Sequence, residues 1–444
     1  MTYPEALQYL DSFVNFEKSD GYNYKTSFKL ERMKRLTALL GDPQLSVRSI
    51  HIAGSKGKGS TASYVHSILG AAGFKTGLYT SPHLVSFRER IRIGDELIGE
   101  GDLARILCRI KIAVESSMKD DRPTFFEIYT ALAYIYFKEK GADIAVYEVG
   151  LGGRLDATNL LEPIVSAITP LSYEHTDKLG DTLTDIAVEK CGIIKSGSVC
   201  VSAPQEPEAL KVIEGVCKNK SVRLILVGRD IRVKGAVSDE DSNRFDLSGT
   251  LKEYKGLKTS LVGPHQMVNA ATAIGIVEAL RIGNFAVPDE AVRNGIRDAK
   301  WPGRLEVIGR KPSIVLDGAH NKASAHILAE AVKKIFKYND LILVLGVSKD
   351  KDVKGILEEL LPAAGTVILT KSKVLSRAMD PLNIKEMISN MKHGIKDVII
   401  TDNTIDALSK ALAAAQPKDL VLVTGSLFIV GEVKEYYQKC VKMA

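Results

Sequence analysis

Short apolar runs alternate with stretches of helical periodicity through the first half of the chain. Residues 47–53 form a run of strand length, a glycine-rich turn follows, and 58–72 is an amphipathic stretch closed by Gly73; together they predict strand, loop, helix. The same reasoning predicts strands at 76–80, 143–149, 165–169 and 199–203, with helices over 125–138 and 183–194 among them. Such alternation predicts a parallel sheet covered by helices. Between 224 and 261 the pattern changes to the β-type runs LILVG, RFDLS and KTSLVG with no helix between them, which predicts a small antiparallel appendage. Gly263 then opens a helix through Glu278.

From Pro312 the rhythm restarts with SIVLDGAHN and a helix to Phe336, then LILVLGVSKD and a helix to Leu361, TVILTKS, VIITDN, and LVLVTGS leading into a closing helix. The join falls near residues 298–302, where a helical segment ends and the only tryptophan, Trp301, stands beside a proline. The expected fold is α/β: a larger N-terminal domain (1–299) with a largely parallel sheet and an antiparallel appendage, then a smaller α/β C-terminal domain (300–444).

At 444 residues, 45% hydrophobic and 26% charged, the chain has the composition of a globular protein with a sizeable core. Its net charge of +6 is spread along the length, which favours small anionic ligands over nucleic acid. The cysteines at 108, 191, 200, 217 and 440 include no C-x-x-C pair, as expected of reduced thiols rather than a zinc site. No apolar segment follows a basic start at the N-terminus and no apolar run approaches a membrane span, so the expectation is a cytoplasmic protein with no membrane partner.

The strongest chemical signal is Gly54-Ser55-Lys56-Gly57-Lys58-Gly59-Ser60-Thr61, set between a predicted strand and a predicted helix as a phosphate loop requires. Glycines let backbone N–H groups curl around phosphate oxygens, the helix N-terminus adds positive dipole, Lys58 can reach the terminal phosphates, and Ser60 or Thr61 can hold Mg²⁺. The competing reading, a glycine-rich turn with solvated lysines, leaves the coincidence of strand, glycines, lysine and hydroxyl unexplained. Glu148 closes the strand DIAVYE, at the edge of a parallel sheet where ligands bind, and suits Mg²⁺ beside phosphates; a buried pair with Arg154 is the alternative. His175 follows VSAITPL and becomes a candidate metal ligand through its place relative to Glu148 and the loop. On spacing alone Lys190 reads as a solvated lysine with a glutamate neighbour. Arg304 of WPGR is either a phosphate-neutralising cation or half of an interdomain salt bridge, and Asp317 and His320 of DGAHN stand at a strand end, placed to orient a polar substrate or nucleotide.

The segments GSKGKGS, YTSPHL, EVGLGGRLDATN, EHTD, EKCGIIK, GPHQMVNA, WPGR and LDGAHN, in this order, resemble the folylpolyglutamate synthases, including their bacterial bifunctional form that is also a dihydrofolate synthase. These are ATP-dependent amide ligases of the Mur ligase superfamily, and the resemblance implies a P-loop NTPase-like N-terminal domain and a smaller Rossmann-like α/β C-terminal domain. The resemblance implies ATP held by Gly57, Lys58, Gly59 and Ser60, with Asn269, Arg304 and Asp317 closing from the other side. It implies two Mg²⁺ ions with Ser60, Ser81, Glu148 and His175 as ligands, and it makes Lys190 a carbamylated lysine beside the metal in place of the solvated side chain. Pteroate contacts fall on Thr124, Phe125, Phe126 and Glu127 and on Leu155, Asp156 and Ala157, while His320 and Ser426 serve incoming glutamate; Lys58, Lys190 and His320 carry the catalysis.

The implied reaction adds L-glutamate to a folate or dihydropteroate carboxylate through an acyl phosphate, releasing ADP and phosphate, in a monomer whose partners are small molecules. Three places depart from the family string. Ser55-Lys56 replaces Thr-Asn in the phosphate loop, adding a charge that either contacts phosphate or points into solvent; Glu174 replaces an aspartate; and KTSFKLER (25–32) replaces a leucine-glycine-leucine run before its Glu-Arg pair. Two alternatives compete. Another Mur-type amino-acid ligase would carry a separate N-terminal domain for a UDP sugar, and a P-loop regulatory protein would have no use for WPGR and DGAHN.

Overall fold

The protein is described by a computed structural model covering residues 1–17, 22–373, 377–391 and 394–443, with Lys25 and 440–443 described by backbone alone. Cys440 falls among the latter; Cys108, Cys191, Cys200 and Cys217 are free thiols. The first sheet has eight strands: β1 (Arg48–Ala53), β2 (Thr76–Tyr79), β3 (Ile91–Ile93), β4 (Glu96–Leu97), β5 (Ile144–Glu148), β6 (Val165–Ile168), β7 (Val199–Ser202) and β8 (Arg223–Leu226). Their spatial order is β4-β3-β2-β5-β1-β6-β7-β8, parallel from β2 to β8, with β3 and β4 antiparallel at one edge. Helices cover both faces, so the central strands are buried on both sides and read as continuous apolar runs; in β1 only Arg48 is exposed.

The helices Lys58–Ala71 and Pro264–Ile282 pack on one face, and Glu100–Ser117 and Phe125–Glu139 on the other. The three-stranded antiparallel appendage is β9 (Arg232–Ser238), β10 (Asn243–Ser248) and β11 (Glu253–Thr259). LILVG does not belong to it. That run forms β8, which extends the parallel sheet beside β7 after the crossover helix Pro207–Asn219. A short apolar run carries no signal of direction, and the helix before it decides the pairing.

The second sheet contains β12 (Glu306–Arg310), β13 (Ser313–Leu316), β14 (Leu341–Leu345), β15 (Thr366–Leu369), β16 (Asp397–Ile400) and β17 (Leu420–Thr424), ordered β12-β13-β17-β14-β15-β16. All its neighbours are parallel except β12 and β13. The strand ends of the two sheets face each other. Loops after β1, β5 and β6 and loops after β13, β14 and β17 line one cavity of about 850 Å³. The closing helix, Leu427–Met443, lies so close to the first sheet's loop that a Cβ added at Gly431 would sit 2.1 Å from the Leu84 carbonyl oxygen. Among the described residues no helix is long and apolar enough to cross a membrane.

Candidate active site

The phosphate loop leaves β1 at Ala53 and enters the helix Lys58–Ala71 through Gly57, whose φ of 82° is open to glycine at no steric cost. A Cβ there would also lie 2.2 Å from Asn269 Oδ1, so this glycine lets the helix Pro264–Ile282 lean on the loop. Gly59 does the same for Trp301, whose ring a Cβ would meet at 2.4 Å. The N–H groups of Ser55 and Lys56 both donate to the Pro170 carbonyl at 3.1 Å, and Lys58 Nζ donates to the Gly54 carbonyl at 3.0 Å. Ser60 is buried at the helix start.

Around this loop the first sheet assembles a charged cluster. Lys190, 2% exposed on the helix Leu183–Cys191, donates to the Gly54 carbonyl at 2.9 Å and to Glu174 Oε1 at 3.0 Å. It is not the solvated side chain that its spacing predicts, and burial lowers its ammonium against the pull of Glu174. Lys56 Nζ lies 3.7 Å from Glu174 Oε2, so one carboxylate bridges two lysines. Burial alone would raise Glu174, but Lys190, Lys58 and Lys56 outweigh it and hold the carboxyl well below its usual range. His175 next to it adopts a left-handed backbone, φ 48°, and burial takes its imidazole down to about 4.

Glu148, at the end of β5, is 5% exposed and accepts the Ser81 N–H on Oε2 at 3.2 Å. Burial raises its carboxyl, with Lys58 pulling the other way. The alternative pairing with Arg154 is not made: Arg154 binds Glu189, 2.7 Å from Nη2 to Oε1. Ser60, Ser81, Glu148 and His175 all line the cavity. Among the described residues no three His, Cys, Asp or Glu side chains group to hold a metal unaided. Hydroxyls, one desolvated carboxylate and one neutral imidazole fit Mg²⁺ in company with phosphate oxygens, the hard-oxygen setting that ion prefers.

One arm of the cavity leads to the helix Phe125–Glu139. Thr124 and Glu127 form a capping box at its start, and Arg32 Nε donates to both oxygens of Glu127 at 3.0 and 2.8 Å. Asp156 is wholly buried, accepting from the N–H groups of Gly150 and Leu151 and from Thr158, whose hydroxyl also meets His51 Nε2 at 2.8 Å. Thr124, Phe126, Glu127, Leu155, Asp156 and Ala157 line this arm; Phe125 does not. Its ring packs in the core against Phe87 and Tyr129, with the Arg90 guanidinium 5.3 Å above it.

From the second sheet, Asp317 Oδ2 accepts the Leu305 N–H and Oδ1 the Ala319 N–H, each at 2.9 Å, which folds the loop carrying Arg304 over the end of β13. Arg304, Asp317, His320 and Ser426 all face the cavity. Burial, Lys56 and the other cations nearby take the His320 imidazole down to about 3. Several lining residues were missed from the sequence, among them Phe16, Tyr22 and Phe28, whose rings stack on one another, and Lys351. The aromatics lie in a segment with no strong periodicity, and only the tertiary fold brings them to the cavity.

A phosphate loop on a parallel sheet, facing the strand ends of a second α/β unit across one cavity, defines a Mur-type ATP-dependent ligase. The chain matches the Mur ligase middle domain over residues 52–277 and the Mur ligase, glutamate ligase domain over 303–427. It is 34% identical to the dihydrofolate synthase/folylpolyglutamate synthase of Bacillus subtilis over 416 residues, 91% of this chain and 94% of that protein. Among solved structures, the Mycobacterium tuberculosis folylpolyglutamate synthase complexed with ADP superposes with a TM-score of 0.89 at 32% identity, covering 98% of each chain. A folylpolyglutamate synthase–AMPPCP–folate complex superposes at 0.85 and 32% identity, covering 98% of this chain and 99% of that one. The chain belongs to the folylpolyglutamate/dihydrofolate synthase family.

Proposed function

We propose that this protein joins the α-amine of L-glutamate to a carboxylate of a folate, and of dihydropteroate, at the expense of ATP. The observation that carries the reading is the convergence on one cavity of the phosphate loop and the Arg304–His320 strand end, in a chain of this family. A carboxylate does not react with an amine at neutral pH. One carboxylate oxygen therefore attacks the γ-phosphorus of ATP, giving an acyl phosphate and ADP; the amine then attacks the acyl carbon, and the tetrahedral intermediate expels phosphate as the amine loses its proton to water.

In this reading Gly57, Lys58, Gly59 and Ser60 hold the phosphates, Asn269 and Asp317 complete the nucleotide site, and Arg304 meets the transferred phosphoryl group from the opposite wall. Positioning and charge neutralisation do most of the work in phosphoryl transfer. Ser60, Ser81, Glu148 and His175 would hold Mg²⁺, which supplies further neutralisation of phosphate charge. Lys190, desolvated and with its ammonium disfavoured, is suited to carbamylation, which would turn it into a carboxylate-like ligand. Thr124, Phe126, Glu127, Leu155, Asp156 and Ala157 contact the pteroyl part, and His320 and Ser426 the incoming glutamate. The division into a domain of 1–299 and one of 300–444, a monomeric state and a cytoplasmic location belong to the same reading.

Mass analysis of products tests it. Dihydropteroate and a reduced folate monoglutamate, each with ATP, Mg²⁺ and glutamate, are expected to gain one glutamyl residue apiece. A gain by one acceptor alone assigns a single activity, and acceptor-independent ATP hydrolysis with no gain refutes the ligase.

A further inference from the structure

Two lysines reach the same cavity from opposite walls and have no part in the proposed reaction. Lys56 comes from the phosphate loop and Lys351 from the loop after β14. Each has a carboxylate beside it: Glu174 lies 3.7 Å from Lys56 Nζ, and Asp350 2.8 Å from Lys351 Nζ. Both lysines act on the imidazole of His320, which burial already keeps neutral. Nδ1 of that ring lies 2.8 Å from the Gly318 carbonyl, which can only accept, so Nδ1 carries the proton and Nε2 presents a lone pair.

The corner thus offers two ammonium groups, a neutral acceptor and two carboxylates. A phosphate dianion brings no cationic group to set against those carboxylates, and the backbone N–H groups of Ser55 and Lys56 are already committed to Pro170. A zwitterion with a second carboxylate fits better, since its two anionic groups match the lysines and its amine has acceptors.

We propose that Lys56 and Lys351 clamp the two carboxylates of the incoming dicarboxylic amino acid, one lysine to each, with His320 Nε2 accepting from its amine. The inference rests on the ligase reading above. Because the two lysines belong to opposite walls, the clamp is complete only when the strand ends of both sheets are apposed, so the amino acid itself bridges the cleft.

The test uses Lys56→Met and Lys351→Met, with Lys56→Arg and Lys351→Arg as charge-retaining controls. The substrates are L-glutamate, L-glutamine, which lacks the side-chain carboxylate, and L-isoglutamine, which lacks the α-carboxylate. In each Met variant the glutamate KM is expected to rise about 10- to 100-fold, the size of one charge-assisted hydrogen bond, while the ATP KM moves less than about threefold. Each Met variant should also lose discrimination against one of the two amides, and not the same one, and the arginines should recover part of the glutamate affinity. Positional ¹⁸O exchange in ATP with folate alone reports acyl-phosphate formation separately. No exchange in the wild type overturns the ligase reading and the clamp with it. Exchange in the wild type, with glutamate KM and amide discrimination unchanged in the Met variants, overturns the clamp alone, as does a Lys56→Met enzyme that has lost the exchange itself.

Discussion

On the wall formed by the eight-stranded sheet, charged side chains are tied to one another: Lys190 and Lys56 share Glu174, and Lys190 and Lys58 both bind the Gly54 carbonyl. On the wall formed by the six-stranded sheet, Arg304 makes no ion pair among the described residues, and its guanidinium reaches only the Gly303 carbonyl, at 3.4 Å. The first arrangement holds a loop in shape through its own charges. The second leaves a cation free of an ion pair, as the proposed role in meeting phosphate requires. A residue of the first wall should therefore matter to stability and activity together, and Arg304 to activity alone.

The largest effect is expected from Lys58→Ala, which removes the phosphate-loop lysine proposed to hold the ATP phosphates: glutamate-dependent ADP release should fall at least about 10³-fold, and full activity would remove Lys58 from the mechanism. Arg304→Met should lower kcat/KM about 10²-fold with an unchanged melting temperature; a marked loss of stability would show that Arg304 is paired after all. Glu174→Gln is the counterpart on the first wall. With Lys190 uncarbamylated, it leaves that buried ammonium without its carboxylate and should cost about 3 kcal/mol in denaturant unfolding, so a neutral result in the unmodified protein would erase the contrast between the walls.

Acid provides a smaller, graded probe. His51, wholly buried in β1, is taken by desolvation down to about 3, while in the unfolded chain it titrates near its ordinary value. Between those values the unfolded chain binds a proton that the folded one does not, so stability falls as pH drops below about 6.5, by about 1.4 kcal/mol per pH unit for this one group. Urea unfolding of His51→Gln across pH 4–6.5 should show a slope shallower by about that amount. The smallest effects separate two neighbours. Phe125→Leu should lower stability by about 1–2 kcal/mol and leave folate KM unchanged, whereas Phe126→Leu should raise folate KM with little change in stability.

That last pair shows where sequence reasoning stops. The phosphate loop was legible because its parts are local: a strand, glycines, a lysine and a helix start within a few residues. That β1, β5, β6 and β7 run parallel was likewise implied by alternation, though their order was not. Phe125 and Phe126 are consecutive on one helix, and the turn of about 100° between them sends one ring to the core and the other to the cavity, a choice set by what packs against the helix. LILVG became an eighth parallel strand because of the helix before it. Lys190 meets Glu174 only because the helix Leu183–Cys191 passes behind the loop, and Lys56 and Lys351 come to one cavity only because the two sheets face each other.

The central claim, that the two walls cooperate in making and consuming an acyl phosphate, is tested most directly by oxygen transfer. With dihydropteroate or a reduced folate labelled with ¹⁸O in its reacting carboxylate, turnover with ATP and glutamate is predicted to release phosphate carrying one ¹⁸O per molecule. Phosphate free of label, formed at the rate of ATP consumption, would contradict it.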